Sequence, residues 1–417
     1  MTRIAIMPGV YLTAVQTEKF KSSCLSVNLL RNLNAQTASQ NAMLPSILRR
    51  GTQDYPNMEQ YAARQDELYG AKITPMVRKK GEVQCIGLQA DFVDGTYTPD
   101  GEAQLQNVLS LLCDTLLLPV QDGKKFQTDY FDSEQSNLVD KIDALINNKI
   151  GYARHAATAL MCSHEAYGIH SLGQRDVASN ITNEQLYQAW QDVLATSQIE
   201  IFYCGTVPRA RIEGLLRRKL EALPRSVLEI TSTQIVPAAQ KTRTHEERMD
   251  VGQGNLVLGF RTPLDDFPAA FMANMVYGGS LTGKLFVNVR ERLSLCYFAQ
   301  SVIDKWKGIM FVQAGIDFGQ YDKALKEILE QWKKCCDGDI TQDEMTAAFN
   351  TVETLYTAVE DSPFELEEFA LGQAVGGFKY SAGEFIELCR AVTVEQVAQA
   401  AQGMSLDTVY FLRGDGS

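Results

Sequence analysis

The chain has 417 residues, 45% hydrophobic and 22% charged, a composition typical of a well-packed globular protein rather than a disordered one. Its 39 Lys and Arg against 51 Asp and Glu give a formal net charge of −12. That charge disfavours nucleic acid and anionic membranes as partners, because both attract clustered cations. No run of about 18 apolar residues is present, so we expect no membrane span. The nine scattered cysteines, with no C-x-x-C pair, indicate buried thiols in a cytoplasmic protein.

The length predicts two domains, and the predicted elements follow one order twice along the chain. A shift of the sequence against itself by 227 positions makes three kinds of residue coincide, namely glycine, leucine and lysine. The coincident pairs are Gly51 with Gly278, Leu68 with Leu295, Lys80 with Lys307, and Gly81 with Gly308. Hydrophobic periodicity predicts strand, helix, helix and hairpin in each half. The predicted elements are 26–33, 42–48, 58–68, 72–77 and 83–92 in the first half, and 255–261, 269–277, 285–292, 297–303 and 309–316 in the second.

Each half then turns helical and carries a strand near its end, at 199–204 in the first half and at 408–412 in the second. Residues 224–247 mix Pro, Ser, Thr and charged residues without periodicity, which is typical of a linker. We therefore predict an α+β protein with an N-terminal half at 1–223, a linker at 224–247 and a homologous C-terminal half at 248–417.

One segment matches part of a phosphate-binding loop. Residues 278–285 fit G-x-x-x-x-G-K, but Leu285 stands where a Ser or Thr would bind magnesium. The preceding segment is helical in pattern, whereas such a loop follows a strand. We interpret 278–285 as a glycine-rich turn between two helices and expect no nucleotide to bind.

The histidines exclude a self-sufficient zinc hydrolase of the common kinds. Such enzymes need two His four apart on one helix face, with a Glu as base. The chain has only His155, His164, His170 and His245, and no pair has that spacing. Residues alone therefore identify no catalytic centre, and we expect no metal or other cofactor.

Several segments together resemble the pitrilysin/insulinase metallopeptidases, and most closely the mitochondrial-processing-peptidase type. The resemblance covers essentially the whole chain. It implies a clamshell of two homologous halves, each a mixed, mostly antiparallel β-sheet packed with helices. The segments that carry it are Ser46 to Gly51, Tyr69-Gly70, Gly278-Gly279-Ser280, Lys284-Leu285-Phe286, Val289-Arg290-Glu291-Arg292 and Leu295-Cys296-Tyr297.

The same resemblance implies that the zinc motif has been lost. In active members H-x-x-E-H lies a few residues before a Gly-Thr pair, which matches 51–52 here. The three key positions then fall on Ala42, Pro45 and Ser46, none of which offers an imidazole or a carboxylate. The family's third ligand, a Glu on a later helix, falls near 140–141.

The family's Arg and Tyr, seven residues apart, match Arg290 and Tyr297. In two-subunit members a metal-free chain brings this pair to the substrate backbone, and the partner chain brings zinc. A guanidinium and a phenol can donate hydrogen bonds to a peptide carbonyl or its oxyanion. The resemblance thus implies a noncatalytic subunit, inactive as an enzyme by itself, whose partners are a zinc-bearing homologue and an unfolded peptide.

Alternatives stay open at this point. Arg290 could be a solvated cation at a helix end, and Tyr297 an ordinary strand residue. The whole chain could instead be a non-enzymatic scaffold or binding protein, or form a homodimer in isolation. Among bacterial relatives it most resembles the member without a zinc motif of the pair associated with 5-aminopentanol modification of elongation factor P.

Overall fold

The computed structural model describes residues 1–414, which form two compact units. Unit 1 comprises Met1–Asp143, Ile169–Ser232 and Glu360–Lys379. Unit 2 comprises Ala144–Gly168, Thr233–Val359 and the described residues from 380 onward. No helix within residues 1–414 is long and apolar enough to cross a membrane.

Each unit contains one β-sheet. The strands are β1 (Arg3–Met7), β2 (Val10–Gln16), β3 (Ser22–Asn32), β4 (Lys72–Lys80), β5 (Val83–Val93), β6 (Gln198–Gly205), β7 (Arg243–Arg248), β8 (Gly254–Arg261), β9 (Phe298–Asp304), β10 (Ile309–Ile316) and β11 (Ser405–Arg413). The strand order is β1-β2-β6-β3-β5-β4 in unit 1 and β7-β11-β8-β10-β9 in unit 2. In each sheet one pair is parallel, β2 with β6 and β7 with β11, and the other pairs are antiparallel. The second sheet thus reproduces the first without β1, and the predicted α+β fold with mixed, mostly antiparallel sheets is confirmed.

Helices pack on both sheets. They are α1 (Ala38–Leu48), α2 (Met58–Glu67), α3 (Glu102–Leu117), α4 (Thr128–Asp143), α5 (Lys149–Met161), α6 (Arg175–Ser179), α7 (Asn183–Thr196), α8 (Arg209–Leu220), α9 (Phe267–Asn274), α10 (Tyr321–Cys336), α11 (Gln342–Ala358), α12 (Pro363–Gly376), α13 (Ala382–Arg390) and α14 (Val394–Gly403). Two further segments, Met275–Gly279 and Leu285–Arg292, are π-helical. The predicted order of strand, helix, helix and hairpin is present in both halves.

The strand β7 was not expected from the sequence, and it begins inside the segment predicted as a linker. Its residues, Arg-Thr-His-Glu-Glu-Arg, include no apolar side chain, so no hydrophobic alternation marks it. It forms by parallel backbone pairing with β11 at the edge of the sheet. Backbone pairing of an edge strand leaves little trace in a hydrophobic pattern.

Each unit contains one helix that belongs to the other half of the repeat, and we call these two helices, α5 and α12, the exchanged helices. Helix α5, from the first half, packs on β8, β10 and β11 in unit 2. Helix α12, from the second half, packs on β3, β4 and β6 in unit 1. The compact units therefore do not coincide with 1–223 and 248–417, because those ranges describe the repeat along the chain and the units describe packing.

In unit 1 the exchanged helix α12 neutralises buried cations on strand β4. Arg78 donates to both carboxylate oxygens of Glu367, at 2.6 and 2.8 Å, and Lys80 pairs with Glu368. Glu367 is 0% exposed and Lys80 2%. Burial opposes the charge on Glu368, but Lys80 and Arg78 outweigh it and lower the pKa of that carboxyl.

Unit 2 repeats this arrangement. Glu165, which follows the exchanged helix α5, pairs with Lys307 at 2.7 Å and accepts from Arg261 at 2.7 and 3.0 Å. Lys307 and Arg261 are almost completely buried, at 0% and 1% exposure. Burial raises the pKa of Glu165, yet its two cationic partners lower it on balance. Glu165 is therefore a structural ion-pair partner.

The repeated Lys-Gly pair has a structural cause. Gly81 and Gly308 have φ of +57° and +65°, the left-handed region that favours glycine in a tight turn. The lysine before each glycine is the buried cation that pairs with a glutamate of the exchanged segment, Glu368 on α12 or Glu165 just after α5. The coincidence of Lys80 with Lys307 and of Gly81 with Gly308 thus marks the contact between each hairpin and the exchanged segment.

Replacing Glu367 by Ala removes the buried one of the two carboxylates that pair with Arg78, the other being that of Glu368, and it removes the acceptor of Asn28 and Ser26. Breaking a buried pair in this way costs about 3–5 kcal/mol. We expect Glu367→Ala to lower the urea midpoint of unit 1 strongly, as followed by far-UV circular dichroism. Glu365→Ala, an exposed position on the same helix, is the control. Equal midpoints for the two variants would contradict the account.

Candidate functional site

Helix α1 carries the positions where the family resemblance locates the lost zinc motif. Ala42 and Ser46 are one turn apart on the helix, and both line a cavity of about 620 Å³ in unit 1. Pro45 lies inside the helix and does not line that cavity. It lines a small apolar cleft with Leu29 and Trp190 instead.

Helix α4 also lines this cavity. Lys141 lines it, whereas Asp140 on the same helix is exposed and is not part of the lining. Glu134 also lines the cavity, but its carboxylate accepts from Nε of Arg50 at 2.6 Å. The position expected for a third zinc ligand is therefore occupied by a cation.

These residues do not fit zinc. A methyl group at Ala42 cannot bind the metal, and the ammonium of Lys141 would repel it. The hydroxyl of Ser46 is no substitute for an imidazole. Across residues 1–414, no three His, Cys, Asp or Glu side chains are grouped so as to hold a metal ion. No chemical step through zinc can therefore be assigned to this cavity.

The Arg and Tyr of the second half lie together in unit 2. Arg290 is on the π-helical segment Leu285–Arg292, whose Leu285 and Val289 are completely buried and anchor it. The guanidinium lies 4.6 Å from the ring centre of Phe286, which restricts its position. Arg290 and Tyr297 both line an open cavity of about 360 Å³.

The turn between them brings the two side chains to one place. Ser294 has a φ of +49°, a left-handed conformation uncommon outside glycine. The backbone N–H of Leu295 reaches back to the carbonyl of Val289 at 3.0 Å, which closes the turn. Strained backbone at such a position is often found at functional sites.

Asp317 completes this cavity, and the sequence analysis missed it. The hydroxyl of Tyr297 donates to Oδ1 of Asp317 at 2.9 Å. This hydrogen bond, with the carboxylate charge, raises the pKa of Tyr297 above its ordinary value. Asp317 directly follows strand β10, a position that carries no motif, so only the fold reveals the pair.

The glycine-rich segment after α9 is a turn between helices, as predicted. It lies between the π-helical segments Met275–Gly279 and Leu285–Arg292. Lys284 is buried and donates to Oε1 of Glu344 at 2.7 Å, so it is engaged in an internal ion pair.

Restoring donors to the cavity of unit 1 tests the interpretation of a lost zinc site. We expect Ala42→His/Ser46→His/Lys141→Glu to bind about one zinc per chain, because two imidazoles and a carboxylate form a common zinc ligand set. The control Ala42→His/Ser46→His keeps Lys141 and should bind at least about tenfold more weakly. Competition with a chromophoric chelator measures both. Stoichiometric zinc binding by the unmodified chain would contradict the interpretation.

Comparisons with known proteins bear on the family of the chain. Residues 180–352 match the family described as the peptidase M16 inactive domain. The chain is 30% identical over 410 residues to the probable inactive metalloprotease YmfF of Bacillus subtilis (strain 168), covering 97% of this chain and 96% of that protein.

Solved structures show the same fold over the full length. The crystal structure of a conserved protein from Enterococcus faecalis V583 is similar with a TM-score of 0.91 at 26% identity, covering 100% of this chain and 99% of that one. The peptidase M16 inactive domain from Pseudomonas fluorescens has a TM-score of 0.81 at 16% identity, covering 100% and 98%. The chain belongs to the M16 metallopeptidases, the pitrilysin/insulinase family, among their inactive, peptidase-like members.

Proposed function

We propose that the chain is the metal-free subunit of a two-subunit zinc peptidase in the cytoplasm. Its Arg290 and Tyr297 bind the backbone of an unfolded peptide, and a homologous partner chain carries H-x-x-E-H and the zinc. The observation that carries the proposal is the cavity of unit 2, where both donors lie together and are accessible.

The chemistry of the pair suits a peptide carbonyl. The Arg290 side chain is 41% exposed and its ion pair with Glu291 is long, at 3.7 Å, so its donors are available. Tyr297 is 61% exposed, and its hydroxyl donates a hydrogen bond to the carboxylate of Asp317. Both groups stabilise negative charge on a carbonyl oxygen more than they stabilise the neutral carbonyl.

Asp317 adds an acceptor beside the two donors. A peptide backbone offers a carbonyl and an N–H, and the cavity offers partners for both. The phenol of Tyr297 donates a hydrogen bond to Asp317 at 2.9 Å, so a substrate carbonyl has to compete with Asp317 for that donor. Asp317 therefore keeps the phenol oriented until the peptide binds.

Apolar side chains lie near the pair in the sequence and are exposed. Leu281 is 78% exposed, and Val287 and Leu293 are each 45% exposed. Large exposed apolar side chains often mark a surface that another chain covers. These residues support binding of a partner or an unfolded peptide at this part of unit 2.

Cleavage by the assembled pair tests the proposal. With the chain co-purified with a zinc-bearing homologue, we expect Arg290→Ala to lower kcat/KM for an unfolded peptide by about 10–100-fold, and Tyr297→Phe by about tenfold. Arg292→Ala removes an exposed cation that does not line the cavity, and should leave cleavage unchanged.

Unchanged cleavage in Arg290→Ala and Tyr297→Phe would refute the role of the pair. A chain that binds no zinc-bearing homologue, and supports no cleavage with one, would favour the rival function of a non-enzymatic scaffold.

A further inference from the structure

The cavity of unit 1 has an excess of positive charge, in a chain whose net charge is −12. Arg49, Arg50 and Lys141 line it. Among the described lining residues, the single carboxylate is that of Glu134.

Glu134 is already neutralised by Arg50. Nε of Arg50 donates to Oε1 of Glu134 at 2.6 Å, and a second guanidinium nitrogen donates to Oγ of Ser133 at 2.9 Å. Within residues 1–414, Arg49 and Lys141 make no ion pair. In the part of the chain that the structure describes, these two cationic groups of the cavity therefore have no carboxylate within ion-pair distance.

The remaining walls are mostly apolar, which constrains the kind of anion. Besides Ala42, the apolar lining side chains are Met43, Met58, Pro75, Val77, Leu138 and Leu172. The volume of about 620 Å³ lies within the usual range for ligand pockets of about 300–1,000 Å³. An inorganic anion would leave these walls in contact with water, whereas an organic anion with an apolar part would cover them.

We propose that this cavity binds the carboxylate of a peptide, either its carboxyl terminus or an acidic side chain, with a neighbouring apolar residue against the walls. A guanidinium presents paired donors that match the two oxygens of a carboxylate, and an ammonium adds a point charge. Lys141 thus supplies positive charge on the helix where the resemblance places a zinc ligand.

This site goes beyond the proposed function. It lies in unit 1, and it requires neither a partner chain nor a metal ion. Binding to the isolated full-length chain tests it, so its failure would leave the role of Arg290 and Tyr297 untouched.

The probes are three dansylated tripeptides of alanine and leucine. One has a free carboxyl terminus and the second is its amide. The third is also an amide, and a glutamate replaces its middle residue. We expect the free acid to bind at least about tenfold more tightly than the neutral amide in a fluorescence titration. Tight binding of the glutamate-containing amide would identify side-chain carboxylates as ligands as well, in agreement with the proposal.

Variants connect the affinity to the named cations. Lys141→Gln and Arg49→Gln should each weaken binding of the free acid by about tenfold. Lys124→Gln, at an exposed position outside the cavity, is the matched control. If Lys141→Gln lowers the urea midpoint, Lys141→Arg, which keeps the charge, should retain binding.

Equal affinities for the acid and the neutral amide would overturn the proposal. So would wild-type affinity in both glutamine variants, or binding of inorganic phosphate without binding of any carboxylate peptide.

Discussion

Buried lysines on two β-hairpins determine much of this structure. Lys80 and Lys307 are 2% and 0% exposed, and an ammonium removed from water is costly unless a counter-charge lies beside it. In both units a glutamate of the exchanged segment supplies that charge, Glu368 to Lys80 and Glu165 to Lys307. Each sheet is therefore packed against a helix from the other half of the repeat.

This constraint extends to the cavity of unit 1. Side chains alternate between the two faces of a strand, so Arg78 and Lys80 of β4 lie on one face, and Pro75 and Val77 on the other. The first pair meets helix α12, and the second pair lines the cavity next to α1. The exchanged helix therefore holds the strand that forms one wall of the cavity in unit 1.

Much of the fold was predictable from the sequence, because the repeat involves long, periodic segments. The hairpin β4–β5 and its counterpart β9–β10 were expected, and the Lys-Gly pairs in their turns gave the offset. Strand β7 was not expected, since its polar residues pair through the backbone alone. The exchange of α5 and α12 was not predictable either, because helical periodicity identifies an apolar face but not the sheet that it covers.

The candidate sites, too, were predictable in part. The resemblance located Ala42, Pro45, Ser46, Arg290 and Tyr297 in the chain, but not their surroundings. The structure brings Arg290 and Tyr297 to one cavity and adds Asp317, 20 residues from Tyr297. It also shows that Lys141, rather than Asp140, lines the cavity of unit 1. Such relations depend on tertiary contacts, and no local pattern in a single sequence encodes them.

The most direct test of this account divides the chain within the irregular segment after Leu220. Residues 1–232 and 233–417 would be produced as separate chains, alone and together, and their unfolding followed by hydrogen exchange. Each fragment lacks the exchanged helix and the glutamate, on it or just after it, that neutralises the buried lysine. Each alone should therefore exchange its sheet amides rapidly, and the co-expressed pair should associate and protect both sheets. Slow exchange in either fragment alone would contradict the central role of the exchanged helices.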